Sequence, residues 1–133
     1  MFIDEYTDFE LGVRGKWHQL ALMLKDTEKH IGDCAIHTTL DGKQGEFGIT
    51  IARDYQRKGL AFETIQGLFK QLFEKLHYHR ITSLVDSQNN GSLALMKKLG
   101  MRREAYFKES YFNGVKWTDE IQFAILEEEF MNF

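Results

Sequence analysis

The sequence predicts one domain of the mixed α/β (α+β) class, a mixed, mostly antiparallel central sheet with helices packed against it. Three observations lead to this prediction. The length of 133 residues suits about one ordinary domain. A hydrophobic fraction of 43% can supply a real core. The hydrophobic pattern changes along the chain between alternation, which is typical of strands, and three- or four-residue steps, which are typical of helices. We therefore expect a single domain over residues 1–133 with the element order β-β-β-α-β-α-β-β.

The first half of the chain contains three predicted strands. Two apolar segments, residues 17–24 and 31–39, are separated by a short polar stretch and predict a β-hairpin. A polar turn with two glycines at 40–45 leads into a third strand at 46–51. Apolar and polar residues alternate along this third strand, so we expect one of its faces to be buried and the other to be open.

The second half contains two predicted helices and three more strands. Over residues 59–76, apolar side chains recur at three- and four-residue steps, which predicts an amphipathic helix of about four turns. A short strand at 80–86 precedes a second helix at 89–100, which starts with residues that cap helices and ends on a glycine. Strands at 101–112 and 118–130 flank an Asn-Gly pair, which is a strong hairpin signal.

A basic segment joins the third strand to the first helix. The sequence Gln-Arg-Lys-Gly-Leu-Ala at 56–61 puts two cations directly before Gly59. A helix N-terminus presents unpaired backbone N–H groups and a partial positive charge, so phosphate groups bind well there. Glycine lets the backbone approach such a ligand closely. The segment therefore fits a phosphate cradle, although a solvated turn in front of a helix would use the same residues.

Several other ligand classes are disfavoured. The sequence has neither the Gly-Lys-Ser/Thr pattern of a P-loop nor the spaced glycines of a dinucleotide-binding motif. A net charge of −3 argues against a nucleic-acid partner. Cys34 is the single cysteine, and His77 and His79 lack a nearby acid or cysteine ligand of a metal site. Since no apolar run has the length of a membrane helix and the N-terminus is acidic, we expect a soluble, cytoplasmic protein.

Several motifs together resemble those of the GNAT family of N-acetyltransferases. Residues 56–61 fit its pyrophosphate-loop pattern, [QR]-x-x-G-x-[GA], with Gln56 in the first position, Gly59 in the fourth and Ala61 in the sixth. Asp86, Asn89 and Ser92 have the family's D-x-x-N-x-x-S spacing. The tail at 111–126 is similar to the closing hairpin of the branch that acetylates the N-termini of ribosomal proteins. The motifs occur in the family's order.

The resemblance implies a fold and a cofactor. In this fold helices cover both faces of the sheet, and the strands at 46–51 and 81–85 splay apart around the pantetheine arm of acetyl-CoA. The pyrophosphate is expected on the backbone amides at the start of the first helix. Asn89 is expected either to bond the cofactor, to cap its own helix, or to do both. The residues that the resemblance assigns to the cofactor are Ile49, Thr50, Ile51, Gln56, Arg57, Lys58, Gly59, Leu60, Ala61 and Asn89.

Two side chains are candidates for the proton transfers of acetylation. The amine must lose a proton before it attacks, and the leaving thiolate gains one. Glu46, which matches a position where many family members have Glu, is the candidate base; the alternative is an exposed carboxylate at a strand end. Many relatives use a tyrosine as the acid, but Met96 occupies the matching position here and cannot donate a proton. Ser92 is therefore the candidate acid. The alternative role for Ser92 is that of a helix-start residue bonded to the backbone. Tyr106 and Tyr111 are further candidates for the acid, with strand packing as their alternative.

The resemblance leaves the acceptor and the assembly open. The similarity of the tail at 111–126 favours a protein or peptide α-amine as the acetyl acceptor. The alternative acceptor is a small amine such as a polyamine or an antibiotic. Only 16 residues precede the strand at 17–24, so we expect the family's usual first strand and at least one helix to be missing. That loss would expose apolar surface, from which we expect a homodimer. It also leaves a non-catalytic CoA-binding module as a second class of function.

Overall fold

The computed structural model of the protein describes residues 2–3, 14–24, 27, 29–56 and 58–132. These residues form a seven-stranded sheet and the helices that accompany it. The strands are β1 (Phe2–Ile3), β2 (Trp17–Met23), β3 (His30–Thr38), β4 (Gln44–Ile51), β5 (Arg80–Asp86), β6 (Arg102–Phe112) and β7 (Trp117–Leu126). The helices are α1 (Leu60–Lys70), α2 (Asn90–Lys98) and α3 (Glu127–Met131), with a 3-10 turn at Arg53–Tyr55 and a π-helical turn at Gln71–Lys75.

The sheet combines one parallel pair with antiparallel neighbours. Its strands are arranged in the order β1-β2-β3-β4-β5-β7-β6, and among the described strands β4 and β5 alone are parallel. A parallel pair needs a long crossover, which α1 and the π-helical turn provide. This arrangement confirms the predicted fold class, a mixed, mostly antiparallel sheet with helices.

The core forms where the helices meet the face of the sheet that carries Phe47. Phe47 of β4 packs edge to face against Phe69 of α1, with ring centroids 5.7 Å apart. Phe130 of α3 stacks on Phe73, with centroids 5.1 Å apart. Side chains of α2 belong to the same buried cluster. Because successive residues of a strand face opposite ways, Glu46 lies on the side of β4 away from these contacts.

The segment before β2 contains a short strand that the sequence analysis did not predict. β1 pairs antiparallel with the end of β2, so a strand does precede β2, although it has only two residues. The expectations that at least one helix is missing here, and that helices cover both faces of the sheet, depend on residues 4–13. Those residues lie outside the described part of the chain.

The first helix changes its geometry before its predicted end. The sequence predicted a helix over 59–76, but regular α-helix ends at Lys70. In the π-helical turn that follows, the Leu76 N–H donates to the Gln71 carbonyl oxygen five residues earlier, at 3.1 Å. The wider turn continues the helix with its Leu72 side chain still fully buried. In the described part of the chain, no helix combines the length and apolar character needed to cross a membrane.

The last predicted strand is divided between β7 and α3. The prediction of strand over 118–130 is wrong after Leu126, because three successive glutamates there begin a helix. Carboxylates are favourable in the first turn of a helix, where the dipole is positive. Glu129 accepts a hydrogen bond of 2.8 Å from the Leu126 N–H and pairs with Arg102 of β6 at 3.0 Å. These contacts attach α3 to the edge of the sheet.

The β6–β7 hairpin extends beyond the end of β5. Pairing of β5 with β7 reaches Asp86 and Glu120, whereas β6 and β7 remain paired as far as Phe112 and Trp117. β6 is the outermost strand, and its register is interrupted by a bulge around Glu109, which has a φ of 48°. The exposed large apolar side chains of this hairpin are Tyr106, Phe107, Tyr111, Phe112, Val115 and Trp117.

Candidate active site

β4 and β5 separate after three registered pairs, the last of which joins Glu46 to Thr82. One residue further along, the buried Ser83 hydroxyl donates a hydrogen bond of 2.8 Å to the Phe47 carbonyl oxygen. This side-chain bond lies where a backbone ladder would otherwise continue. Beyond it both strands run on without pairing to each other, and a cleft of about 280 Å³ opens between them.

The cleft is continuous with a larger cavity beside α1. The cleft is lined by Gly48, Ile49, Thr50, Ser83, Leu84, Val85, Asp86, Asn89, Ser92 and Met96. The larger cavity, of about 760 Å³, lies between α2 and the start of α1. Both are lined by Ile49, Thr50, Asn89 and Ser92, so one space extends from the separated strands to the N-terminus of α1.

The start of α1 is open to a ligand. Gly59 occupies the N-cap position with a φ of 77°, a left-handed conformation that glycine adopts without strain. Apart from its chain neighbours, no heavy atom of the described residues lies within 4 Å of where a Cβ atom at this position would be. Among the described residues, no side chain caps this helix end. The first-turn N–H groups therefore face the cavity without a side-chain acceptor and suit an anionic ligand.

The loop before α1 is attached to β4. Gln56 Nε2 donates a hydrogen bond of 2.8 Å to the Ile51 carbonyl oxygen, and Lys58 Nζ lies 5.5 Å from the centroid of the Tyr55 ring. Arg57 lies outside the described residues, and Lys58 does not line the cavity. The predicted cofactor residues that do line it are Ile49, Thr50, Ile51, Gln56, Gly59, Leu60, Ala61 and Asn89.

Glu46 lies at the point where β4 and β5 separate, on the face of β4 away from Phe47. It is half-buried and pairs across the strands with His37. Burial raises the pKa of the Glu46 carboxyl; the charge of Glu120 raises it further, and His37 opposes the shift. Glu46 does not itself line the cleft, but Gly48, two residues along the same face, does. A carboxylate of raised pKa beside a cleft is suited to accept a proton.

Ser92 and Met96 line the cleft from α2. Asn89 caps this helix, since its Oδ1 accepts a hydrogen bond of 3.0 Å from the Ser92 N–H. Ser92 therefore sits in the first turn with its hydroxyl-bearing side chain beside both cavities. Met96, which the sequence resemblance matches to a tyrosine of many relatives, is only 1% exposed. A thioether has no proton to give, so among these two side chains only Ser92 can act as an acid.

The two tyrosines considered as alternative acids do not line the cleft. The Tyr106 hydroxyl donates a hydrogen bond to the Asp119 carboxylate, and this bond is the main cause that raises the pKa of Tyr106. Tyr111 is exposed on the part of the hairpin beyond β5. Both tyrosines therefore belong to the β6–β7 hairpin and not to the space between β4 and β5.

Sequence reasoning missed Ser83 and Gly48 as residues of the site. A signal for Ser83 was present: it lies between Ile81 and Val85 on the buried face of β5, where an apolar residue is expected. A buried hydroxyl needs a hydrogen-bond partner, and across β5 that partner is a backbone oxygen of β4. Gly48 gave no such signal, because a glycine in an alternating strand has several explanations.

Potential metal ligands are dispersed in the described part of the chain, and its cysteine is buried. Within that part of the chain, no group of three or more His, Cys, Asp or Glu side chains is close enough to hold a metal ion. Cys34 is buried in β3, and burial raises the pKa of its thiol to about 12. A thiol of such high pKa is protonated at neutral pH and is a poor nucleophile.

An open cleft between two parallel strands thus lies next to a helix N-terminus that no described side chain caps, an arrangement suited to a slender ligand with an anionic group. Residues 2–102 match a protein-family model that is described as "Acetyltransferase (GNAT) domain". The chain therefore belongs to the GNAT family of acetyltransferases. This result confirms the family to which the sequence motifs pointed.

Individual relatives agree with this assignment. The chain is 36% identical over 108 residues to the uncharacterized N-acetyltransferase YnaD of Bacillus subtilis, a match that covers 81% of this chain and 64% of the relative. A crystal structure of a GNAT-family acetyltransferase from Bacillus anthracis superposes with a TM-score of 0.77 at 34% identity, covering 83% of this chain and 66% of the other. The chain thus spans about two thirds of the length of both proteins.

Two relatives have names that state an acceptor. The [Ribosomal protein uS5]-alanine N-acetyltransferase of Escherichia coli is 30% identical over 78 residues, which are 59% of this chain and 40% of the relative. The spermidine N(1)-acetyltransferase of the same organism is 25% identical over 89 residues, which are 67% of this chain and 48% of the relative. One relative thus acts on a protein and the other on a polyamine.

Proposed function

We propose that this chain is an acetyl-CoA-dependent N-acetyltransferase, which transfers an acetyl group directly to a primary amine in a ternary complex. The observation that carries the proposal is the continuous space between the separated strands and the N-terminus of α1. A slender arm fits the cleft of about 280 Å³, and a larger phosphate-bearing group fits the cavity of about 760 Å³.

The residues around this space fit acetyl-CoA. The missing side chain of Gly59 leaves the helix N-terminus accessible, as a pyrophosphate requires. Because β5 does not pair with Ile49, Thr50 and Ile51, the backbone of these residues can hold the pantetheine arm. Acetyl-CoA, when bound, supplies an activated acetyl group as a thioester. Backbone N–H groups of the same segment of β4 are the nearest candidates to donate hydrogen bonds to the carbonyl oxygen as it gains negative charge.

Glu46 is the proposed base. A peptide α-amine has an ordinary pKa of roughly 7.7–8.0, so a fair fraction is already neutral near physiological pH and a modest base suffices. Glu46 lies at the separation of the strands and has a raised pKa, which makes its carboxylate a better proton acceptor than an exposed one. Since it does not line the cleft, we propose that it takes the proton through a water molecule.

Ser92 is the proposed proton donor to the leaving thiolate. Its side chain lines both cavities, and the neighbouring Met96 cannot donate. A serine hydroxyl is a weak acid, so the proposed donation relays a proton from solvent. The absence of a tyrosine in this part of α2 is also the observation that keeps a non-catalytic CoA-binding module as the second candidate.

The proposed acceptor is the α-amine of a protein or peptide. Its support is the β6–β7 hairpin, whose sequence is similar to that of ribosomal-protein acetyltransferases, and the match to the uS5-alanine enzyme. A polyamine is the second candidate, favoured by the spermidine acetyltransferase relative. The two acceptors differ in charge: a polyamine keeps further positive charges when one amine is acetylated, whereas a peptide need not.

We also propose that the protein forms a homodimer through the β6–β7 hairpin. Five aromatic side chains of this hairpin are about half exposed. Since a complete aromatic side chain has a surface of roughly 150–250 Å², these five together expose roughly 500 Å². An ordinary interface covers roughly 800 Å² on each partner. A monomer mass in light scattering at micromolar concentration would contradict this proposal.

Thermal unfolding with acetyl-CoA tests the proposed cofactor. A ligand that binds only the folded state at one hundred times its dissociation constant stabilises it by about 2.7 kcal/mol, which raises Tm by several degrees for a domain of this size. We expect this shift with acetyl-CoA and none with ATP, which has phosphates but no pantetheine arm. No shift with acetyl-CoA would contradict the proposal. Thiol release in the presence of peptides or polyamines then separates an enzyme from a binding module.

Variants of Asn89 separate its two roles. Because serine caps helices about as well as asparagine, Asn89→Ser should keep the melting temperature of the wild type. Asn89→Ala should lose the cap and about 1 kcal/mol of stability. If Asn89 also binds the cofactor, acetyl-CoA affinity measured by calorimetry falls in both variants. Wild-type affinity in Asn89→Ser would mean that Asn89 acts as a helix cap alone.

A further inference from the structure

The larger cavity follows one face of α2 along the whole helix. Its lining residues on this element are Asn89, Asn90, Gly91, Ser92, Ala94, Leu95 and Lys98. From Gly91 onward they recur at three- and four-residue steps, the spacing of one helical face. Since a helix rises 1.5 Å per residue, Lys98 lies roughly 13 Å beyond Asn89 along the axis. The cavity thus has a far end at the last turn of α2, and Lys98 does not line the cleft between the strands.

At this far end, the side chains of Phe62 and Lys98 are in contact. Lys98 Nζ lies 4.4 Å from the centroid of the Phe62 ring, and both residues line the cavity. A cation at such a distance over an aromatic face is attracted by the ring. Phe62 itself is partly buried against the hydrophobic core. A packed ring therefore holds the ammonium group at the wall of the cavity.

Lys98 supplies the side-chain charge of this cavity. Among the described residues that line it, no other has a charged side chain. Nowhere in the described part of the chain does a carboxylate lie within ion-pair distance of Lys98. The second source of positive potential is the N-terminus of α1, whose first turn contains Phe62. Two positive groups in one cavity suit a ligand with two separate anionic groups.

Helix stability alone does not explain the position of Lys98. Cations in the last turn of a helix are favourable, because the dipole is negative there. The last turn of α2 has two of them, Lys97 and Lys98, and both are exposed. Lys97, however, lines neither cavity. The dipole accounts equally for both lysines, whereas the contact with Phe62 beside the cavity belongs to Lys98.

We propose that Lys98, positioned by Phe62, binds the 3′-phosphate of CoA and so lets the protein discriminate CoA from 3′-dephospho-CoA. The proposal rests on the proposed acetyl-CoA-dependent function and adds a specificity-determining residue to it. In CoA, one ribose carries both the 3′-phosphate and, at its 5′ carbon, the pyrophosphate. A ligand whose pyrophosphate binds the start of α1 therefore brings a second phosphate towards the same helix end, where the ammonium group of Lys98 can bind it.

The test compares CoA with 3′-dephospho-CoA, which lacks that one phosphate. Calorimetry measures the affinity of each compound for the wild type, Lys98→Gln, Lys98→Arg and Lys97→Gln. Glutamine is a good helix former without charge, so the variants should fold as the wild type does. Lys97→Gln is the matched control, because it removes the same charge from the same helical turn at a residue outside both cavities.

We expect the wild type to bind CoA about tenfold more tightly than 3′-dephospho-CoA, the size of effect that one charge-assisted contact to a phosphate provides. Lys98→Gln should lose most of this preference through weaker binding of CoA, with its affinity for 3′-dephospho-CoA unchanged. Lys98→Arg keeps a cation that can lie on the Phe62 ring and should retain the preference. Lys97→Gln should behave like the wild type.

Three results would overturn the role of Lys98 and leave the acetyltransferase proposal standing. The first is a wild type that binds both compounds equally well. The second is a Lys98→Gln variant that keeps the preference for CoA, and the third is a Lys97→Gln variant that loses the preference to the same extent. If the wild type binds neither compound, the proposed cofactor fails and the role of Lys98 fails with it.

Discussion

A Glu46→Gln variant should lose about 100-fold or more of its turnover while it binds acetyl-CoA as the wild type does. General bases contribute roughly 10²–10⁴ to such rates, and glutamine keeps the size of the side chain but accepts no proton. Glu46 lies outside both cavities, so its replacement leaves the cofactor contacts intact. Steady-state rates with a saturating amine, together with the calorimetric affinity for acetyl-CoA, measure the two quantities. Wild-type turnover in this variant would exclude Glu46 as the base.

The pH dependence of turnover gives a second test of Glu46. Burial raises the pKa of Glu46, and a protonated carboxyl cannot accept the amine proton, so the wild-type rate should fall as the pH falls through this raised pKa. Glu46→Gln should lack this fall. Glu120→Gln is the matched control: it removes the charge that helps to raise the pKa of Glu46, so the fall should move to lower pH with little change in the maximal rate.

Gly59→Ala should weaken acetyl-CoA binding by about tenfold or more. An alanine at a φ of 77° is strained by roughly 1–2 kcal/mol, and its methyl group would occupy open space at the helix N-terminus where the pyrophosphate is proposed to bind. If the loop relaxes to a right-handed conformation, the N–H groups of the first turn move away from the ligand. Each loss of 1.4 kcal/mol in binding corresponds to a factor of ten in affinity, which calorimetry resolves.

Gly114 provides the control for backbone strain. It has a φ of 97° in the β6–β7 turn, and its Cβ position is also open. Gly114→Ala should therefore reduce the stability of the fold to a similar extent as Gly59→Ala but leave acetyl-CoA affinity unchanged. Equal affinities in the two variants would show that the start of α1 does not bind the cofactor.

The sequence predicted the parts of the fold that depend on local patterns. Alternation over residues 46–51 and the helical period that follows place β4 and α1 correctly, and Gly59 marks the start of the helix. These features need only neighbouring residues to be recognised. The motif with Asn89 and Ser92 likewise predicted the start of α2, where Asn89 is found as the cap.

The remaining features depend on residues far apart in the chain. The separation of β4 from β5 involves the bond from Ser83 to the Phe47 carbonyl oxygen, 36 residues away, and no local pattern reports such a partner. The start of α3 also depends on a distant residue. Three successive glutamates are compatible with the end of a strand, but Arg102, 27 residues before Glu129, bonds the Glu129 carboxylate and so favours the helix. The place of Gly48 at the cleft is a property of the assembled sheet and could not be predicted from one glycine.

The bulge in β6 has a consequence for how copies of this chain can associate. A long outer strand normally offers a template to which a strand of another molecule can add, the first step towards fibrils. Here Glu109, at a φ of 48°, turns the backbone, and its N–H is used by Asp119 Oδ1 at 2.7 Å. Between Arg102 and Phe107 the register is interrupted a second time, between Arg103 and Ala105, and this stretch begins with three successive charged residues. These interruptions and charges disfavour the addition of a strand from another molecule at this edge of the sheet.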